Sequence, residues 1–149
     1  MLKPVDSNGN AIDVEGMDFW SYGQHSIHRL PNGNLLMYDN GDYRGFYDNP
    51  QVPHDSYSRI AEYRIDEEYM TVALVWKFDN NKTVFTRYTG SSQFLGDTRL
   101  AGYMSISENT PRVTEVMEDN QIVFEATINR GKAHYYRIQK VDIYAGVGE

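Results

Sequence analysis

His25 is the residue of this chain whose type and setting most suggest chemistry. It follows Gln24 at the start of a stretch of alternating polar and apolar residues that also holds His28. A neutral imidazole nitrogen is nucleophilic near neutral pH and can form and break a covalent bond to a transferred group. In a regular strand, His25 and Ile27 share one face and His28 lies on the other. His25 is therefore a candidate nucleophile, with an ordinary hydrogen-bonded strand residue as the alternative, and His28 is assigned to structure.

Other residues could bind a substrate beside His25. Gln24 could orient His25 or donate a hydrogen bond to the substrate, and a solvated strand residue is the alternative. Arg44 could supply positive charge, or it could form a salt bridge to Asp39 or Asp42 that fixes its loop. Ser92, or its neighbour Ser91, falls where a second copy of the pattern repeats the position of Gln24 and His25, and its hydroxyl could line the same pocket. His54 lies in a loop, where histidines are usually solvated.

Short antiparallel strands must position these residues. Alternating patterns predict strands at residues 24–30, 35–38, 58–65 and 71–78. The segment Pro31-Asn32-Gly33-Asn34 predicts a tight turn between the first two, because Pro fixes φ and Asn-Gly accepts positive φ. Residues 42–57 read as a long loop. The four strands form one antiparallel meander of the size of a propeller blade.

A second, looser round of the pattern follows after about 68 residues. Residues 83–88 read as a short strand or connector, and strands are expected near 90–97, 99–107, 112–118 and 121–128. The last has an apolar face of Ile122, Phe124, Ala126 and Ile128. A closing strand is expected at 134–144. The predicted fold is all-β and forms a single unit over residues 1–149: a loose lead-in (1–16), a first blade (17–80), a second blade (81–130), and a closing strand and tail (131–149).

Composition excludes several classes of function. The net charge of −7 argues against non-specific nucleic-acid binding. The chain has no cysteine, which excludes disulfides, Cys-ligated zinc and a thiol nucleophile. No apolar run predicts a membrane span or a signal peptide, and the compartment is left unassigned. We expect no metal and no cofactor. The aromatic patch Phe19, Trp20 and Tyr22 could be a wall of an aryl-binding pocket or core packing.

The sequence resembles the bacterial arylsulfate sulfotransferases that work without the nucleotide sulfate donor (PAPS-independent). The resemblance runs from about Phe19 to the end and weakens after Trp76. The matching segments, in order, are Phe19-Trp20 followed by Gln24-His25, then Tyr38-Asp39-Asn40-Gly41-Asp42-Tyr43-Arg44-Gly45, then Tyr57-Ser58-Arg59, and then Glu62-Tyr63-Arg64-Ile65-Asp66.

The resemblance implies a fold and a reaction. The family forms a six-bladed β-propeller, and this chain is long enough for roughly two blades of its C-terminal portion. It implies that His25 takes up the sulfuryl group from an aryl sulfate and passes it to a phenol, with Gln24, Arg44 and Ser92 as substrate-binding candidates. The family's further histidines, Asn and Arg that grip sulfate have no matching segments here. We therefore expect the chain by itself to be a poor or inactive sulfotransferase.

The sequence leaves two other interpretations open. One is a β-sheet binding module that stacks sugars or phenols on Trp20, Trp76 and the tyrosines. The other is a structural remnant without chemistry.

Two blades leave open sheet edges, which favours a homo-oligomer, and three copies would supply six blades.

Overall fold

The structure is a computed structural model that describes residues 1–14, 18–42, 44, 56–105, 110–128 and 135–141. Its strands form two sheets, and a short 3-10 turn at Asn80–Lys82 follows the first of them. The strands are β1 (Lys3–Pro4), β2 (Gln24–Arg29), β3 (Leu35–Asp39), β4 (Arg59–Asp66), β5 (Thr71–Phe78), β6 (Ser91–Phe94), β7 (Thr98–Ser105), β8 (Thr110–Met117) and β9 (Ile122–Thr127).

The first sheet has the order β1-β5-β4-β3-β2. The predicted meander β2 to β5 is confirmed, and each consecutive pair is antiparallel. The predicted tight turn is also present: Leu30 N–H donates to the Asn34 carbonyl at 2.8 Å, and Gly33 has φ +88°. Only glycine adopts that φ without strain, so the Asn-Gly pair fixes the register of β2 against β3.

The N-terminal lead-in is more closely held than its composition predicts. β1 runs parallel to β5, and the backbone N–H groups of Lys3 and Val5 donate to the Met70 and Val72 carbonyls at 2.8 and 2.9 Å. Apolar residues of the lead-in pack on the outer face of the first sheet. That cluster comprises Phe19, Met37, Ala61, Tyr63 and Val72, with Leu2, Ile12, Val14, Leu35, Ile65 and Leu74 against it.

The second sheet has the order β6-β7-β8-β9, again an antiparallel meander. Residues 83–88 form a connector rather than a strand. Asn40 holds this connector, because its Nδ2 donates to the Thr86 carbonyl at 2.5 Å and to the Thr89 carbonyl at 2.8 Å. Gly90, at the start of the second round, has φ +141°, and a Cβ there would lie 2.1 Å from a ring carbon of Tyr38.

Two expectations for the second sheet differ from the structure. The described part of the predicted closing strand, residues 135–141, forms no ladder but is bound to side chains of β6. Strand β9 exists, yet Ile122 and Phe124 on its predicted apolar face are 43% and 49% exposed. Alternation correctly predicted the strand, but β9 is the outer edge of the sheet, where the described residues cover its face only in part.

A shared core joins the sheets. It comprises Tyr38, Ile60, Phe78, Val84, Ala101, Tyr103 and Val116, with Trp76 against it. The first strands of the two meanders, β2 and β6, contact each other. An ion pair also crosses between the sheets, from Arg99 Nη2 to Glu62 Oε2 at 2.7 Å. The all-β prediction is confirmed, and the pair of meanders that meet at their first strands is consistent with a partial β-propeller.

Candidate functional site

A bulge in β2 sets the direction of both of its histidines. His25 pairs with Tyr38 and His28 with Leu36, so three steps along β2 match two along β3. Ser26 takes φ +52° to make room for the extra residue. Residues two apart on β3 share a face, so His25 and His28 lie on the same face of the sheet. The expectation that His28 faces away from His25 is wrong, because it assumed a regular strand.

His25 is half-buried near the start of this edge strand. Its Nδ1 lies 3.3 Å from the Tyr136 hydroxyl, and the two rings meet edge to face with centroids 5.9 Å apart. The two nitrogens of an imidazole point in different directions, so Nε2 is directed away from Tyr136. This arrangement engages one ring nitrogen and leaves the other oriented for a second partner.

The segment that carries Tyr136 is anchored to β6 by paired hydrogen bonds. Ser91 Oγ donates to the Ile138 carbonyl at 2.8 Å and accepts from the Ile138 N–H at 3.0 Å. The Gln93 amide does the same for Lys140, at 2.9 and 2.8 Å. The Ser91 and Gln93 side chains thus make the hydrogen bonds that the backbone of a neighbouring strand would make. Tyr136 is therefore attached to the second sheet, whereas His25 belongs to the first.

Ser92 and His28 join the two first strands. His28 Nε2 donates to the Ser92 carbonyl at 2.7 Å, and Ser92 Oγ donates to the Ser26 carbonyl at 2.8 Å. Ser92 is 1% exposed. This geometry agrees with the structural assignment of His28. The Ser92 hydroxyl, a substrate-binding candidate from the sequence, has a backbone partner on β2.

A buried group of charges holds the segment that leads into β2. The Asp39 carboxylate forms ion pairs with Arg44 and with Arg59, and its distance to Arg59 Nε is 2.8 Å. It also accepts hydrogen bonds from the backbone N–H groups of Tyr22 and Gly41. Asp18 ion-pairs with both arginines from the other side. Asp39 and Arg59 face each other in the β3–β4 ladder. The charged residues of the matching segments therefore fix the backbone that precedes His25.

The pKa of Asp18 is set by its neighbours in this group. Burial acts to raise the pKa of Asp18, but the Arg59 charge and hydrogen bonds from Lys77 and Tyr57 outweigh it, so that pKa is lowered. Burial raises the pKa of Tyr63 to about 12. Arg59 also donates to the Phe19 and Trp20 carbonyls. These hydrogen bonds and ion pairs tie residues 18–22 to β3 and β4.

The other residues singled out in the sequence have these positions. Gln24 is exposed on the edge strand. Arg44 is 4% exposed and has the salt bridge to Asp39 that was its alternative role. His54 lies outside the described residues. Phe19 is core, whereas Trp20 is 38% exposed.

Trp76 does not present an open stacking face. Its ring lies under the Arg99 guanidinium at 4.4 Å, and its Nε1 donates to the Glu118 carbonyl at 2.8 Å. Both contacts cross between the sheets, so Trp76 serves their packing.

Sequence reasoning missed Asp18 and Tyr136. Asp18 shows no local pattern, and its partners lie 26 to 59 residues away. Tyr136 falls within the predicted closing strand, and its contact with His25 spans 111 residues. A local periodicity carries no signal for such contacts.

Neither a membrane-crossing helix nor a metal cluster is found in the part of the chain that the structure describes. No helix there is long and apolar enough to cross a membrane. Within the same ranges, no group of three or more His, Asp or Glu side chains could hold a metal ion.

The fold and the site define an all-β chain of two meanders with His25 on β2, the first strand of the first meander. The model of the arylsulfotransferase (ASST) family matches residues 1–137, so the chain belongs to that family. It is similar to the arylsulfate sulfotransferases AssT of Lelliottia amnigena and of Escherichia coli O6:H1 (strain CFT073), with 39% identity over 89 residues in each case. These alignments cover 55% of this chain and 15% of each relative.

Proposed function

We propose that this chain carries the nucleophile of an arylsulfate sulfotransferase, and that the nucleophile is His25. The observation that carries the proposal is the half-buried imidazole on β2, with one nitrogen engaged by Tyr136 and the other directed away from it. Family membership and the similarity to two relatives named as arylsulfate sulfotransferases support the reaction class.

The proposed cycle has two transfers. In the first, His25 Nε2 attacks the sulfur of an aryl sulfate, an S–N bond forms, and the S–O bond breaks with its electron pair leaving on the phenolate. In the second, an acceptor phenolate attacks the same sulfur, an S–O bond forms, and the electron pair of the S–N bond returns to His25. One residue therefore serves both halves, as ping-pong kinetics require.

We also propose that the chain alone turns over slowly. Stabilisation of charge in the transition state is usually the largest catalytic contribution, so the sulfonate oxygens need donors or cations beside His25. Arg44 is held by Asp18 and Asp39, and to act as a substrate-binding residue it would have to leave these carboxylates. Gln24, exposed beside His25, is another candidate for this role. Ser92 on the adjoining strand is a third, and its hydroxyl would first have to leave the Ser26 carbonyl.

The test is to incubate the chain with 4-nitrophenyl sulfate, with and without phenol, and to follow nitrophenolate release and intact mass. We expect one added sulfo group on the protein, lost on addition of phenol, and no such adduct in His25→Gln. His28→Gln is the matched control, since its amide can still donate to the Ser92 carbonyl. An adduct that persists in His25→Gln, or no adduct in the wild-type chain, would reject the proposal.

The exposed edge supports self-association as a further proposal. Ile122, Val123 and Phe124 on β9 are between 43% and 49% exposed, and an open apolar edge favours pairing with another strand. The shared core between the sheets supports one folding unit over residues 1–149. Light scattering tests the assembly, and a monomer at high protein concentration would contradict it.

A further inference from the structure

We propose that Tyr136 is a positioning residue for His25: its phenolic oxygen accepts the Nδ1–H and so fixes the tautomer in which Nε2 carries the lone pair. The inference deepens the proposed function and rests on it. Tyr136 itself takes no part in bond making.

The contact constrains the imidazole in two ways. The Nδ1-to-oxygen distance is 3.3 Å, and the rings are inclined at 63° with centroids 5.9 Å apart. A neutral imidazole has one N–H, so a hydrogen bond that uses Nδ1 as donor leaves Nε2 unprotonated. The edge-to-face ring contact limits rotation about the His25 side chain, which keeps Nε2 in one direction.

Tyr136 is held in place by the backbone around it rather than by burial of its ring. The Gly90 N–H donates to the Tyr136 carbonyl at 3.3 Å, and the Ser91 hydroxyl holds Ile138 on both sides. Ile138 sits on the second sheet over Gly102, where a Cβ would lie 2.6 Å from the Ile138 Cβ. Tyr136 as a whole residue is 61% exposed, so core packing does not account for its position.

The hydrogen bond also suits the charge that develops in the reaction. When Nε2 bonds to sulfur, the ring becomes cationic and keeps its Nδ1 proton. An oxygen acceptor at Nδ1–H stabilises that cation, as an acceptor behind a catalytic histidine does in general. The same acceptor keeps the ring orientation unchanged when the sulfuryl group leaves again.

The first experiment reads the tautomer without any substrate. Histidine-selective ¹⁵N labelling and long-range ¹H–¹⁵N NMR at about pH 9, where ordinary imidazoles are neutral, report which nitrogen of His25 is protonated. We expect Nδ1–H to be the major form in the wild-type chain and the minor form in Tyr136→Phe. Tyr69→Phe is the matched control, because Tyr69 is 69% exposed on the turn between β4 and β5. A major Nε2–H form in the wild-type chain, or no change in Tyr136→Phe, would overturn the proposal.

The second experiment measures how fast the sulfo group is added to His25. The loss of one hydrogen bond to the reacting ring should slow this step about tenfold in Tyr136→Phe. Ser91→Ala leaves the phenol intact but removes the bonds to Ile138, and we expect a smaller slowing that disappears in the Tyr136→Phe background. Equal rates in wild type and Tyr136→Phe would overturn the positioning role. If no sulfo group forms at all, the proposed function fails, whereas the NMR experiment still decides whether Tyr136 sets the tautomer.

Discussion

The buried carboxylate of Asp39 gives the sharpest test of how the matching segments stabilise the chain. Asp39 is 0% exposed and is shared by two arginines that are themselves buried, Arg44 and Arg59. The substitution Asp39→Asn keeps the side chain's shape and an oxygen for the Tyr22 and Gly41 N–H groups, but it removes the charge. Both guanidinium groups then keep only Asp18 as a counter-ion within this group.

The magnitude follows from the burial. Removal of one partner from a buried ion pair costs about 3–5 kcal/mol, because the remaining charge stays out of water. Domains have a free energy of unfolding of about 5–15 kcal/mol, so Asp39→Asn removes a large part of it. With an m-value of about 2 kcal/mol per M urea, the midpoint should fall by roughly 1.5–2.5 M.

Urea unfolding followed by tryptophan fluorescence measures this change, since Trp20 lies beside the charged group and its carbonyl accepts from both arginines. Asp42→Asn is the matched control: Asp42 pairs with Arg87, whose side chain is 42% exposed, and exposed pairs contribute about 0–1 kcal/mol. A midpoint shift for Asp39→Asn no larger than that of the control would refute the reasoning.

Three further tests concern the pH dependence of stability, the substitution of Gly90 and the substitution of Ser92. The pKa of Asp18 is lower in the folded chain than in the unfolded chain, and this difference stabilises the fold at pH values above the unfolded pKa. The stabilisation is lost as the pH falls from the unfolded pKa towards the folded pKa. The urea concentration at the unfolding midpoint should therefore decrease as the pH falls below about 4, and this decrease should be less steep in Asp18→Asn. Gly90→Ala should cost about 1–3 kcal/mol, because its Cβ would overlap the buried Tyr38 ring. Ser92→Ala should lower the free energy of unfolding by about 1 kcal/mol, measured by thermal unfolding, because the hydrogen bond from Ser92 Oγ to the Ser26 carbonyl on β2 is lost.

These three predictions have their own controls. An unchanged acid slope in Asp18→Asn would contradict the ion-pair assignment. Gly33→Ala also places alanine at positive φ, but its Cβ meets nothing within 4 Å, so Gly90→Ala should cost more. Ser7→Ala, at an exposed position, should leave the melting temperature unchanged, and an equal effect of both serine variants would contradict the role of Ser92.

Much of the fold could be predicted because its signals are local. Alternation of apolar residues predicted β2 to β5 and β7 to β9 within a few residues, since the strand period of two is set by the backbone. The Asn32-Gly33 pair predicted the turn through its tolerance of positive φ. The residue type of His25 and the resemblance together identify it as a candidate nucleophile, and its catalytic role stays a prediction.

The sequence by itself determined the strands of the two meanders, the turn between β2 and β3, and that a histidine stands on β2. The tertiary structure decided what surrounds that histidine. The bulge at Ser26, which turns His28 to the same face, and the hydroxyl of Tyr136 at His25 Nδ1 depend on how the strands pair and pack. The ion pairs of Asp18 with Arg44 and Arg59 are likewise long-range. Periodicity fixes only neighbours along the chain, whereas these contacts exist because packing of the two sheets brings distant residues together.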